Sequence, residues 1–176
     1  RVQVDVKHAP SSCIVSENGE RYYQYTAIDE FSRFRYVEAF RELSTYSSAV
    51  FLEHMLKAFP FKVECVQTDN GPEFTKHYGS RNSSALTMFE KRLEEHGIRH
   101  KKIRPFTPKH NGKVERSHRK DNEYFYASHR FYSFEDFAKQ LKVHNRRYNA
   151  FPMRPLGWRS PKDTLYDFLL YGVTYV

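Results

Sequence analysis

Three carboxylates stand at positions where the surrounding pattern gives them a rigid mount. Asp5 lies within Val2-Gln3-Val4-Asp5-Val6, whose strict alternation is the period-two signature of a strand and puts the acid on the face opposite the valines. Asp69 follows the apolar run Val63-Glu64-Cys65-Val66 and stands on the Asn70-Gly71 turn of QTDNGPEFTKHYG, a strand end of the kind where ligand-handling groups gather. Glu115 falls in the first turns of an expected helix, among cations. Hard oxygen ligands with no Cys or His beside them suit Mg²⁺ or Mn²⁺, which keep waters and complete their shells with substrate phosphates. That combination describes a two-metal phosphoryl-transfer site, in which ions about 3.5–4 Å apart activate the attacking oxygen and stabilise the leaving one.

The rest of the chain must position those acids and meet their substrate. Its 176 residues, 39% apolar and 16% aromatic, are the size of one globular domain with a real core. Lysine and arginine number 29 against 21 acids, a net charge of +8, which makes an anionic partner plausible, nucleic acid first. The excess is concentrated: from Arg99 to Lys120 there are nine lysines and arginines and one acid, Glu115. A charge run is ordinarily a solvated face, but one that surrounds a candidate catalytic acid is better read as a phosphate-binding surface. Helical spacing puts Arg119 one turn beyond Glu115, with Asn122 following on the same side. Cys13 and Cys65 form no framework or CxxC pair, and a reduced, buried thiol at Cys65 suits a reducing cytosol. No apolar run approaches the roughly 18 residues a membrane helix needs and no signal peptide is present, so no membrane partner is expected. The chain opens at Arg1 already in a strand-like pattern, as a fragment of a longer protein would.

The expected order is β-β-β-α-β-α-β followed by helices. The first strand precedes a hairpin of residues 21–29 and 34–40, joined by the polar turn Glu30 to Arg33. A helix capped by Ser44 or Thr45 carries Val50, Phe51, Met55, Leu56 and Phe59 at helical spacing and stops at Pro60. Residues 63–66 read as a fourth strand, 83–96 as a helix ended by Gly97, and 98–103 as a fifth strand. The segment from Lys113 has good helix formers but a poor apolar stripe and is expected to lie on a surface. A further helix, capped by Ser133, covers 134–148, and the tail from Asn149 is turn-rich until KDTLYDFLL.

VQVDVKHA, VECVQTDNGPEF and FTPKHNGKVERSHRK together resemble the three acidic motifs of the DDE-type integrase core shared by retroviral integrases and bacterial insertion-sequence transposases. IDEFSRFRYVEAF and YNAFPMRPLGWRSP resemble the bacterial branch. The resemblance runs from Val2 to about Leu165 and implies an α/β, ribonuclease-H-like fold: a five-stranded mixed sheet, three antiparallel strands then two parallel, flanked by helices, with C-terminal helices beyond. It places the catalytic core at 1–150 and a C-terminal extension at 151–176. It implies Asp5, Asp69 and Glu115 as the catalytic, metal-binding triad for two Mg²⁺ or Mn²⁺ ions. Lys113, Arg116 and Arg119 would position the backbone of the element's DNA end, with Asn70, Lys109, Lys120 and Asn122 as further DNA contacts. The partners it implies are element ends and target DNA, with a homo-oligomer assembled on them, in a bacterial cytoplasm at the nucleoid. The 45 residues between Asp69 and Glu115 exceed the family's usual spacing, and KHYGSRNSSA is the loop that would absorb the surplus.

Competing residues receive other roles. Asp29 reads as a turn acid that caps Ser32 or pairs with Arg33. Glu73 and Glu123 read as solvated acids near the triad, His96 and His100 as separated by Gly97 and not a zinc pair, and Tyr124, Phe125 and Tyr126 as packing. Two rivals to a strand-joining enzyme remain: a ribonuclease-H-like nuclease that cuts without joining, and a catalytically silent DNA-binding module descended from a transposase.

Overall fold

The computed structural model describes residues 1–15, 19–75, 85–103 and 111–172. Strands β1 (Val2–His8), β2 (Tyr23–Asp29) and β3 (Arg35–Phe40) are followed by α1 (Thr45–Ala58), β4 (Cys65–Thr68), α2 (Met88–Glu95) and β5 (Arg99–Lys102). Helices α3 (Gly112–Tyr124), α4 (Phe134–Ala150) and α5 (Pro161–Tyr171) complete the chain. The sheet order is β3-β2-β1-β4-β5; β1 and β3 run antiparallel to β2, while β4 runs parallel to β1 and β5 parallel to β4. This is the expected mixed sheet in the expected order. No helix among the described residues is long and apolar enough to cross a membrane.

Local signals account for most boundaries. The side chain of Ser44 accepts from the Ser47 N–H and Ser133 from the Asp136 N–H, so both helices start on the oxygen caps that their first turns need. Gly97 adopts φ +64° directly after the C-cap of α2, a left-handed conformation that costs glycine little. Asp29 accepts from both the N–H and the hydroxyl of Ser32, at 2.8 and 2.7 Å, as the hairpin turn required.

Three expectations change. The fourth strand spans Cys65–Thr68 rather than 63–66, because Val66 and Gln67 are the residues that ladder with β1. The strand therefore runs directly into Asp69. Helix α2 starts at Met88 rather than 83: Thr87 and Glu90 form a reciprocal capping box, and residues 83 and 84 lie outside the described residues. Helix α3 is no surface element. It buries Val114, Ser117, His118 and Asp121, spaced i, i+3, i+4, i+7, against the sheet. Its inward stripe is mostly polar because the strand face it covers is polar.

That face follows from the register. Val4 opposite Ala27 and Val6 opposite Tyr25 share one side with Val2, and these pack under Phe51, Leu52 and Met55 of α1 and Phe89 and Leu93 of α2. The other side presents Asp5 opposite Thr26 and Lys7 opposite Gln24, with Arg35 of β3 opposite Ile28. Helices α3 and α4 cover it, and a smaller apolar cluster built on Tyr22, Val37, Phe125, Phe131, Phe137 and Leu141 flanks the polar centre. Edge strand β3 is closed by α4: Asn149 accepts from the Arg35 N–H and donates to its carbonyl, at 2.9 and 2.7 Å, and Asn145 donates to the same carbonyl at 3.0 Å.

Candidate active site

Asp5 is carried by the middle of β1, where its backbone pairs with Thr26 of β2. Its Oδ1 accepts from the Val6 N–H at 2.9 Å, and its Oδ2 lies 3.4 Å from Nδ1 of His118. Extending the parallel register Val2↔Val66, Gln3↔Gln67 by two residues sets Asp69 level with Asp5, on the adjacent strand's end. Asp69 is oriented by its own turn: Oδ1 accepts from the Gly71 N–H at 2.9 Å, while Asn70 donates to the Ile103 carbonyl at 2.9 Å and ties the ends of β4 and β5 together. Glu115 lies in the first turn of α3 and is exposed.

Electrostatics join these three positions. Burial raises the Asp69 carboxyl above the usual range, opposed by the Gly71 N–H and reinforced by the negative charge of Asp5. Glu115 is raised by burial, then by Asp5, and also by Asp69, with His118 acting against them. The structure thus brings the predicted triad into one field, with acids from β1, the β4 turn and α3.

Glu73 belongs to the same field and is not the solvated acid expected. It is 8% exposed, and its carboxyl is raised by burial and by Asp69 and Asp5. Its carboxylate also lies over Gly71 so closely that a Cβ there would sit 2.5–2.7 Å from it. A Cβ at Gly71 would therefore displace the end of the Glu73 side chain from this position beside the turn that carries Asp69. Glu123, by contrast, is exposed on α3.

The remaining predicted residues separate into two groups. Arg116, Arg119 and Lys120 are exposed along α3 and available to an anionic backbone. The Lys113 amine donates to the Glu30 carbonyl at 2.8 Å, and Asn122 accepts from Lys7, so both side chains are engaged within the fold. Lys109 lies outside the described residues, as do residues 76–84 of the longer Asp69–Glu115 connection. His96 and His100 have different partners, Glu53 at 2.9 Å and the Thr68 hydroxyl at 2.9 Å. Phe125 and Tyr126 are packed as expected, but Tyr124 is 69% exposed.

Sequence reasoning missed the network behind the triad. From Asp5 it runs to His118, whose Nε2 lies 3.0 Å from the Thr26 hydroxyl, then through Gln24 to Asp121. Asp121 and Arg35 are both fully buried, and a single guanidinium nitrogen of Arg35, Nη1, donates to both Asp121 oxygens at 2.8 and 3.0 Å; His144 approaches the same carboxylate at 2.8 Å. The Arg35 guanidinium, with the hydrogen bonds of the network, holds Asp121 ionised and far below the usual carboxylate range despite its burial. The spacing Val114, Ser117, His118, Asp121 was the available signal, hidden because only its first member is apolar.

Among the described residues, no group of three or more His, Cys, Asp or Glu side chains is placed so that it could hold a metal ion. The donor chemistry of Asp5, Asp69 and Glu115 nonetheless fits a hard divalent cation: all are carboxylates, and their mutual repulsion is what such a cation relieves.

A family model described as integrase core domain matches residues 1–108, and a second of the same description matches residues 96–161. This chain belongs to the integrase core domain family. Over 167 residues the integrase core is 28% identical to the ORF3 protein of Spiroplasma virus SpV1-C74, named as an inferred integrase, covering 80% of this chain and 44% of that protein. The chain therefore spans less than half the length of that relative. Its fold is similar to the catalytic core domain of BIV integrase, with a TM-score of 0.63 at 20% identity, covering 94% of this chain and 93% of that one. It is also similar to a chain of the simian T-cell lymphotropic virus intasome solved with PP2A regulatory subunit B56 gamma, with a TM-score of 0.72 at 18% identity, over 99% of this chain and 57% of that one. The ribonuclease-H-like architecture of the integrase core is thus the one the strand order describes.

Proposed function

We propose that this integrase core cleaves a phosphodiester at the end of a mobile DNA element and joins the freed 3′-hydroxyl to target DNA, using Asp5, Asp69 and Glu115. The observation that carries the reading is the shared field of these three carboxylates, each borne by a different element. Divalent cations, Mg²⁺ or Mn²⁺ and two in number, would supply Lewis-acid charge to the attacking and leaving oxygens when held by the triad. The chain's own part is positioning. Strand β1 and the Asn70-Gly71 turn would keep Asp5 and Asp69 level, and α3 would bring Glu115 into their field. His118, packed on Asp5 and hydrogen-bonded to Thr26, holds the Asp5 carboxylate against rotation. Arg116, Arg119 and Lys120 would take backbone phosphates, contacts that orient the duplex and specify little sequence.

In the first step water adds to phosphorus, the 3′ oxygen leaves as the hydroxyl, and the phosphate stays on the other strand end. In the second, that hydroxyl attacks a target phosphodiester and displaces its 3′ oxygen, so one bond forms as one breaks. Assembly of several copies on DNA is part of this reading. Incubating the full-length protein with candidate element ends, target DNA and Mg²⁺ tests it: nicked and joined products are expected. Nicks without joining would identify a nuclease, and DNA binding without either product a silent module.

A further inference from the structure

At the C-terminal end of α3, against α4, lies a cavity of about 660 Å³ that, Lys120 at its wall apart, the proposed chemistry does not use. In its wall the rings of Phe125 and His144 stack at 4.6 Å and 16°, and the His144 ring is fixed by its contact with Asp121. Tyr124 and Phe151 also line it while remaining 69% and 65% exposed, an unusual state for large aromatic groups beside a cavity. Lys120 and Arg147 line it too, and among the described residues neither has an ion-pair partner. The cavity's acids are already committed: Asp121 to Arg35 and His144, and Asp136 to Gln140, the Tyr132 N–H and the nearby charge of Lys139. The lining therefore combines aromatic surface with uncompensated positive charge.

An aromatic anion matches both properties, and the direction of α3 narrows the choice. Arg116, Lys120 and Tyr124 are four residues apart and share one face of the helix, leading from the Glu115 end to the cavity. The rise from Glu115 to Tyr124 is roughly 14 Å, about four nucleotide steps along a DNA strand. A base inside a duplex is stacked and paired, whereas an unpaired base offers its faces to aromatic side chains. An aromatic side chain from a protein partner would fill the apolar part but bring no phosphate to Lys120 and Arg147. We propose that this cavity binds an unpaired nucleotide of the DNA substrate, its base on the aromatic wall and its phosphate at Lys120 and Arg147. This rests on the DNA-processing reading above and adds to it a site for single-stranded DNA.

The test compares binding of the full-length protein to a blunt duplex, the same duplex with a three-nucleotide single-stranded tail, and that tail made abasic. The tail should raise affinity about tenfold, the scale of one stacked base, and the abasic tail should lose most of that gain. A Tyr124→Ala/Phe151→Ala variant, altered only at exposed rings, should bind all three DNAs alike. Arg147→Ala should flatten the slope of log affinity against log salt for the tailed DNA by about 0.7. Equal binding of blunt, tailed and abasic DNA by the wild type overturns the site, as does a tail preference that survives the double variant. If the blunt duplex is bound and nicked with no tail preference, only this inference falls; if no DNA is bound, the DNA-processing reading falls with it.

Discussion

Beneath α1 and α2 the sheet buries Val2, Val4, Tyr25 and Ala27 against Phe51, Leu52 and Phe89. Beneath α3 and α4 it buries Gln24, Thr26 and Arg35 against His118, Asp121 and Asn149. The same strands make both layers, since alternate residues point to opposite faces. On the first side, contact area holds the layers together, and many partners could substitute for one another. On the second, stability depends on a few directional bonds and one buried ion pair, where losing a partner leaves a desolvated charge behind. The polar layer is also the one that carries Asp5 and seats α3, so the acids of the proposed site stand on the less forgiving half of the core. A buried polar network ties its members to single positions, which suits a site whose carboxylates must be held in place.

The largest effect separates chemistry from packing altogether. Asp69→Asn or Glu115→Gln should lower cleavage and joining by at least about 10³-fold, as loss of one member of a catalytic unit does. Because each change also removes a repelling charge, the melting temperature of the metal-free protein should stay level or rise. A Glu115→Gln protein with near-normal activity in the cleavage assay would remove Glu115 from the site.

The two faces should then differ in how damage is repaired. Phe51→Ala on the apolar side is expected to cost about 3–5 kcal/mol by opening a cavity. Arg35→Met on the polar side should cost a similar 3–5 kcal/mol, because Asp121 is left ionised and buried. Adding Asp121→Leu to Arg35→Met should recover part of that loss, whereas a second apolar change beside Phe51 should not. Urea denaturation of the single and double variants measures this, and an Arg35→Met loss under 1 kcal/mol would show that water reaches Asp121.

Gly71 lies between the two layers, in a turn that sends Phe74 into the apolar core and Asp69 toward the polar face. Gly71→Ala puts a methyl where the end of the Glu73 side chain lies, and because that end can swing aside the loss of activity should stay within about tenfold. Glu73→Ala in the same chain should restore much of it by clearing the space. If the double variant is no better than Gly71→Ala alone, the close contact with Glu73 is not what disturbs the site.

The smallest effect concerns pH. Burial, and then the charge of Lys102, lowers the His100 imidazole to about 4. The unfolded chain therefore takes up this proton before the folded one, and stability present above about pH 6.5 is lost as pH falls toward 4. Melting curves should show a loss of about 1–2 kcal/mol from this group, less than full linkage because the ring is partly solvated. His100→Gln, which cannot titrate, should flatten that window, and an unchanged pH profile would assign the loss to other groups.

Much of the site was written locally. The alternation at Val2–Val6 put Asp5 opposite the valines, the Asn70-Gly71 turn put Asp69 at a strand end, and Ser44 and Ser133 marked their helix starts, because caps, turns and period-two patterns depend on nearest neighbours. The order of elements along the chain was legible for the same reason, since each carried its own signal, whereas their arrangement in a mixed sheet was implied by the family resemblance. Other features required residues distant in sequence to meet. The ladder between β1 and β4 moved the fourth strand onto Cys65–Thr68 and set Asp5 level with Asp69. Arg35 and Asp121, 86 residues apart, became a buried pair only when β3 and α4 closed over α3. Glu73 looks like any surface acid until the turn folds it onto Gly71. The sequence by itself determined which residues could do chemistry and which elements would carry them. Tertiary structure decided which charges share a field, because burial and Coulomb interaction depend on distances that only the packed sheet and helices define.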